Sequence, residues 1–286
     1  KYKKIKTLEG HKNRVVSLIQ LESGHIATGD YDFYIKIWDI DKGECILTLK
    51  ENGNVFCLLE FEPNQLLTGT SENTIGLWNL NNINNPDKAD FYFEKKHFLW
   101  VNCLVKYNEQ FFVSASNDSQ ILVWNYNKKK CEFLLGKHSD CILTLIKLRD
   151  GKLCSGGADN IIKVWDFNKR FCLIEFKQNS WIKCLCQFDD NTILFGCEDR
   201  TISILKNYKE IEHINGHSHS VRTLCKIDDN YFASGSFDKK IKFWDINTKN
   251  NIYTLEGHTG NVICIIKLKD NKLVSCSSDK TIIIWD

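Results

Sequence analysis

The sequence predicts an all-β fold, a propeller of seven blades with four antiparallel strands in each, and three observations predict it. A stretch ending Tyr34-Ile35-Lys36-Ile37-Trp38-Asp39 recurs with Trp78, Trp124, Trp165, Leu205, Trp244 and Trp285 in the Trp38 position. The steps between those positions are 40, 46, 41, 40, 39 and 41 residues, and a fixed period near forty marks a repeated blade rather than one globular core. Last, Ile5–His11 nearly repeats Ile252–His258, so the two ends of the chain carry parts of one unit.

Each unit reads as four short strands punctuated by Gly, Asp and Asn. In the first, Val15–Leu21 is strand a, His25–Gly29 strand b, Tyr34–Asp39 strand c and Glu44–Leu49 strand d. Apolar residues in strand a stand three apart (Val15 and Leu18, Val101 and Leu104, Val262 and Ile265), where alternation would place them two or four apart. That spacing predicts a bulge. The last unit stops at Asp286, after strand c. The N-terminal segment is therefore expected to supply the missing strand, so that about 259–286 plus 1–10 form blade 7 and residues 1–286 form one closed propeller without an open edge. A chain of 286 residues would ordinarily split into domains, but blades that pack only on their neighbours escape that limit.

Composition excludes several classes. Lys plus Arg number 38 and Asp plus Glu 36, a net charge of +2, which gives no general attraction for nucleic acid or membrane. The longest apolar run, Ile282-Ile283-Ile284-Trp285, is far too short to span a bilayer, and Lys1-Tyr2-Lys3-Lys4 leads into a strand pattern rather than a signal peptide. Of thirteen cysteines, Cys57, Cys103, Cys184 and Cys264 share one repeat position with Ser17, Thr144 and Thr223. The common property is small size, so these read as structural thiols of a reducing compartment, cytoplasm or nucleus. The chain lacks Met and begins and ends within strands, and is expected to be a piece of a longer protein.

Ser, His and Asp are plentiful enough to suggest a hydrolase, but they recur together. The sets are His11, Thr28, Asp32 and Trp38; His97, Ser114, Asp118 and Trp124; and His138, Ser155, Asp159 and Trp165. Two more follow: His217, Ser234, Asp238 and Trp244; and His258, Ser275, Asp279 and Trp285. A catalytic triad needs one nucleophile in one pocket. Five copies, one with Thr for Ser, instead suit a network in which carboxylate, imidazole, hydroxyl and indole satisfy one another. Blade 2 departs, with Glu51 and Glu72 in the His and Asp positions. Blade 5 has Gln178, Phe195 and Leu205, keeps only Asp199, and is expected to rely on apolar packing. No cofactor and no metal site is expected, because His25, His213 and His219 form no ligand spacing.

With G-H early in the unit and W-D late, the chain resembles the WD40 repeat family over residues 1–286. That resemblance implies a hydrogen-bonded tetrad in each of the five complete blades and a top face where three positions per blade point towards the central channel. Mapped residue by residue, those positions hold Arg14 and Tyr31 in blade 1, Phe56 in blade 2, Trp100 in blade 3 and Leu143 in blade 4. Trp181 and Lys183 follow in blade 5, and Arg222 and Phe237 in blade 6. Trp100 and Trp181 are the two tryptophans outside strand c, and aromatics with Arg dominate interface hot spots. A groove on blade 4, between the indoles, is the expected anchor site. The insert Asn79–Asp90 between strands c and d of blade 2 reads as a solvated bottom loop. The expected function is a non-enzymatic scaffold, itself monomeric, that binds a peptide or protein segment on the top face. The a–b hairpins are also similar to those of F-box/WD ubiquitin-ligase substrate receptors, which implies acidic or phosphorylated partners met by Arg14, Lys183 and Arg222. A propeller of an RNA-processing complex is the alternative from another class, although nucleic acid is not the expected partner.

Overall fold

The computed structural model describes residues 2–83 and 85–286; Lys1 and Asn84 lie outside them. The described residues form seven four-stranded antiparallel sheets arranged as the blades of a propeller. Blade 1 consists of Val15–Gln20, Ile26–Asp30, Tyr34–Asp39 and Glu44–Lys50. In the last sheet, Val262–Lys267, Leu273–Ser277 and Ile282–Trp285 are joined by Lys4–Leu8 from the other end of the chain. The pairs Lys6↔Ile284, Thr7↔Ile283 and Leu8↔Ile282 close the ring.

Every strand a carries the bulge. Its register slips between Val15 and Ser17 and at the same place in the other six blades. The slip lets two residues three apart, such as Val15 and Leu18, both reach the core. The residue that follows each bulge is Ser, Cys or Thr, and in several blades it does more than fit the space. Ser17 Oγ donates to the Val55 carbonyl of the next blade at 3.0 Å, and the Cys57 and Cys103 thiols donate to Val101 and Leu143 carbonyls at 3.5 Å. Burial holds those thiols protonated: Cys103 is pushed up to about 11 and Cys57 well above its ordinary value.

The core lies between blades. Trp38 packs with Val274 and Ile282 of blade 7, and Trp78 with Ile35 and Leu49 of blade 1. A second device repeats at the bottom. The residue two places after the Trp position plugs the preceding blade: Ile40 joins Leu268, Leu80 joins Leu21, Tyr126 stacks on Phe61 at 4.1 Å, and Phe167 stacks on Tyr107 at 3.6 Å. The blade 2 insert is largely exposed, as a solvated loop is expected to be, but it also has a buried anchor. Asn85–Lys88 are exposed, but Ala89 is buried with Trp78 and Leu49, Ile83 packs beside them, and the Pro86 carbonyl accepts the Lys50 N–H at 2.7 Å. The insert covers the blade 1–blade 2 boundary, and strand d of blade 2 shrinks to Phe91–Tyr92.

Candidate partner-binding face

The loops of the top face rest on the tetrads. In blade 4 the Trp165 indole N–H donates to Ser155 Oγ at 2.8 Å, the hydroxyl lies 2.7 Å from His138 Nε2, and His138 Nδ1 lies 2.9 Å from Asp159 Oδ2. One direction of donation satisfies the chain: indole to hydroxyl, hydroxyl to Nε2, Nδ1–H to carboxylate. Blades 3, 6 and 7 repeat it through His97, His217 and His258. In all four, the backbone N–H after the His also reaches the carboxylate, which ties the loop to the turn. Burial opposes ionisation of Asp118, Asp159 and Asp238, but the imidazole and backbone hydrogen bonds outweigh it and hold these carboxyls below their ordinary value. Asp279 is held lowest, with Thr281 adding a further hydroxyl. Packing explains the glycine before the His: a Cβ at Gly216 would lie 2.3 Å from Trp244 Cη2.

Blade 1 corrects the expected set. His11 Nδ1 meets Asp30 Oδ2 at 2.6 Å, not Asp32. Asp30 is the last residue of strand b, where other blades have Ser116, Ser236 or Ser277. It combines two jobs, because its Oδ1 also accepts the Asp32 and Tyr34 N–H groups. Asp32 is freed to accept from Asn13 Nδ2 at 2.8 Å. His11 Nε2 and the Trp38 indole meet Thr28 Oγ1 at 2.7 and 2.8 Å.

Blade 2 rebuilds the network around one carboxylate. Glu51, buried in the His position, accepts from Thr68, from the Trp78 indole at 2.7 Å and from the Tyr92 hydroxyl at 2.9 Å. The Glu72 side chain takes no part in it. Blade 5 is not held by apolar packing alone: Phe195 and Leu205 are buried, yet Ser203 Oγ bonds His213 Nδ1 at 2.8 Å one strand further out.

Seen from above, Arg14, Tyr31, Phe56, Arg222 and Phe237 converge, with Asn102, on a cavity of ≈ 110 Å³ at the channel mouth. The aromatics form a continuous stack. Trp100 lies on Phe56 (5.0 Å, 21°), Phe56 meets Tyr31 edge-on at 5.5 Å, and the Arg14 guanidinium sits 4.6 Å over Tyr31. Trp100 thus leans on Phe56 of blade 2, away from the groove expected on blade 4. Leu143 is half-buried within strand a of blade 4 and does not line the cavity. Trp100 and Trp181 are 42% and 46% exposed. Trp181 instead belongs to a closed group: Lys183 Nζ lies 4.7 Å from its ring and 2.8 Å from Glu198 Oε2, which also accepts Ser220 Oγ. Lys183 is therefore not the free cation expected. Among the described residues Arg14 and Arg222 pair with no carboxylate.

Sequence reasoning passed over three residues of this face. Phe98 and Leu99 are 73% and 49% exposed beside Trp100. Their signal was present: the loop after His97 reads Phe-Leu-Trp where other blades have Lys-Asn-Arg, Ser-Asp-Cys or Thr-Gly-Asn. Phe33 is exposed at a turn position with φ +75°, a position held by Asn73, Asn160 or Lys280 elsewhere. An aromatic in that left-handed region is strained and fits a contact role better than a turn role.

Five stretches of the chain, residues 2–39, 92–125, 129–166, 208–245 and 249–286, match the family model described as "WD domain, G-beta repeat", together more than half of its length. The unmatched stretches hold blades 2 and 5, whose tetrads are rebuilt or lost. The chain is 26% identical over 265 residues to an uncharacterized WD repeat-containing protein of Schizosaccharomyces pombe, covering 85% of this chain and 70% of that one. It is 29% identical over 276 residues to mitochondrial division protein 1 of Eremothecium gossypii, covering 86% of this chain but 38% of that protein. Over 46 residues, 16% of this chain and 7% of the other, it is 52% identical to a probable E3 ubiquitin ligase complex SCF subunit, scon-2, of Neurospora crassa. The last two matches span well under half of those relatives' own length.

Proposed function

Because the chain belongs to the WD40 repeat family, whose members are interaction scaffolds, we propose that it is a non-catalytic scaffold that binds a protein segment on its top face. The observation that carries this reading is the exposed run Phe98-Leu99-Trp100, continued by the stack through Phe56 and Tyr31 to Arg14. Contiguous exposed apolar surface of this kind marks interaction sites. The anchor lies over blades 1–3 and takes an apolar side chain. Repetition of the His-Ser-Asp sets as buried networks supports the absence of catalysis. Thirteen free thiols support a reducing compartment, cytosol or nucleus.

A finer version has its own support. Arg14 and Arg222, unpaired at the channel mouth, fit an acidic or phosphorylated residue next to the apolar anchor, since guanidinium matches carboxylate and phosphate. The short likeness to an SCF subunit is compatible with a substrate-receptor role. Peptide arrays that vary apolar anchors with acidic, phosphorylated or basic flanks test both levels. Trp100→Ala is expected to cost about 2 kcal/mol or more of binding, as buried anchors do, with little change in melting temperature. Arg222→Ala is expected to weaken binding and flatten its salt dependence. Binding that ignores both substitutions would overturn the top-face reading. Crosslinking of RNA at Trp100 and Arg222, without peptide capture, would favour the RNA-processing alternative.

A further inference from the structure

Blade 5 keeps one member of the tetrad, fills the Ser and Trp positions with buried Phe195 and Leu205, and opens a space beside the His position. Asp199 Oδ1 accepts from the Thr201 N–H at 3.1 Å and its hydroxyl at 2.6 Å. Among the described residues no donor reaches Asp199 Oδ2, the oxygen that accepts an imidazole in blades 3, 4, 6 and 7. Gln178, in the His position, turns its amide to the Lys177 carbonyl at 3.0 Å. Between them opens a cleft of ≈ 500 Å³, lined by Gln178, Ser180, Asp199, Thr201, Ser203 and His213 among others.

Comparison of the blades explains why the cleft exists. The strand c position of Ser203 is Lys36, Lys163 or Lys242 in blades 1, 4 and 6, Leu122 in blade 3 and Ile283 in blade 7. Those long side chains cover the tetrad: Lys163 Nζ lies 5.7 Å over the Trp165 ring and 2.8 Å from Glu175. Blade 2 has Gly76 there, but Tyr92 faces it across the strand pair, fills the gap and bonds Glu51. In blade 5 the residue facing Ser203 is His213, which stays exposed at the rim.

We propose that this cleft binds the imidazole ring of a histidine carried by a partner protein, held between Asp199 and His213. The wall chemistry selects that ring. Asp199 only accepts. His213 uses Nδ1 with Ser203 Oγ, and when that nitrogen accepts the hydroxyl proton, Nε2 carries the other proton and donates. With that tautomer the ligand presents an N–H to Asp199 and an acceptor to His213, on two edges of a small flat group, as neutral imidazole does. Guanidinium and ammonium offer donors alone. The protein holds an imidazole against the corresponding carboxylate in four other blades. Cys197 in the wall remains a thiol, because burial pushes it up to about 12. The site thus offers hydrogen bonds rather than thiolate chemistry.

The test uses the intact chain and free imidazole, above neutral pH where the probe is uncharged. Nitrogen-15 spectra of the histidine rings report on His213 separately from the five tetrad rings. A saturable shift of the His213 signals is expected, with the tetrad signals unmoved. Ser203→Leu fills the cleft as Leu122 does in blade 3, Gln178→His supplies a ring from within, and Asp199→Asn removes the ionised acceptor. Each is expected to weaken the imidazole response by about tenfold or more, the loss of a hydrogen bond to a charged group. Gln178→His and Asp199→Asn alter a half-buried and an exposed residue and keep the test decisive if Ser203→Leu fails to fold. No saturable shift at His213, an unchanged response in the variants, or binding of methylguanidinium in preference to imidazole would overturn the proposal.

Discussion

At the scale of the residue, this chain reaches one network by three routes, and the routes predict different sensitivities. Spacing alone selects Asp32, because it stands 21 residues after His11 as Asp118 stands 21 after His97. Spacing cannot detect that Asp30, two residues earlier, is buried within reach of the ring. Asp30→Ala should therefore cost about 1–3 kcal/mol, the price of leaving buried donors unmet, while Asp32→Ala should change the melting temperature little. Equal losses in a denaturant titration would restore the expected assignment. His138→Ala should likewise cost about 1–3 kcal/mol, and Gln178→Ala much less, because the Gln178 amide bonds only a neighbouring carbonyl. The same networks set the acid response. Burial holds His138 below its ordinary 6.5, and the carboxylates of Asp118, Asp159, Asp238 and Asp279 lie below their ordinary 3.8. Depressed folded-state values mean that the unfolded chain binds protons first, so this stability is present above the ordinary values and is lost as pH falls through the folded ones. Melting temperature should decline as pH drops below 6.5 and fall faster below 3.8. Asp159→Asn should blunt the second phase, and an undiminished second phase would count against the carboxylate's role.

At the scale of the element, what repeats was legible and what departs was not. The bulge in strand a, the strand limits and the closing strand all followed from residues that recur in several blades, where a pattern averages over local exceptions. The exposure of the blade 2 insert was legible in its composition, but its anchor was not, because composition reports polarity whereas Ala89 and Ile83 are placed by their neighbours. The channel-mouth stack was only half legible. Position assigned Trp100, Phe56 and Tyr31 to one face, but side-chain direction decides that Trp100 leans on blade 2 and that Lys183 is claimed by Glu198. The bottom plugs went unnoticed because they vary from Ile to Leu, Tyr and Phe. They nevertheless join consecutive blades and should be sensitive. Phe167 stacks on Tyr107 at 3.6 Å and also meets Phe111 and Phe133. Phe167→Ala should cost about 3–5 kcal/mol, as large-to-small aromatic changes in cores do. Measured by urea titration, a loss under about 1 kcal/mol, the range of a surface change, would mean that the plug merely covers the blade.

At the scale of the whole molecule, stability depends on one seam. Six blades bury an indole against a neighbour and blade 5 buries Leu205, so the ring has no natural end, and blade 7 borrows its outer strand from the start of the chain. That strand does two things at once. Through Lys6, Thr7 and Leu8 it covers the backbone edge of Ile282–Ile284, and through Leu8, buried to 1% exposure, it joins the cluster of Trp38, Val15 and Ile282 that binds blade 7 to blade 1. Deleting residues 1–9 should leave a hydrophobic edge strand open, a template for pairing with another chain, and uncover the blade 1 indole. The expected outcome is a large fall in melting temperature together with aggregation seen by light scattering. Leu8→Ala separates the two contributions. It keeps the ladder and removes only the core contact, and should cost about 2–5 kcal/mol without aggregation at rest. If the truncated chain melts with the intact one and stays monodisperse, the seam is not what holds the ring, and the plugs between consecutive blades carry closure instead.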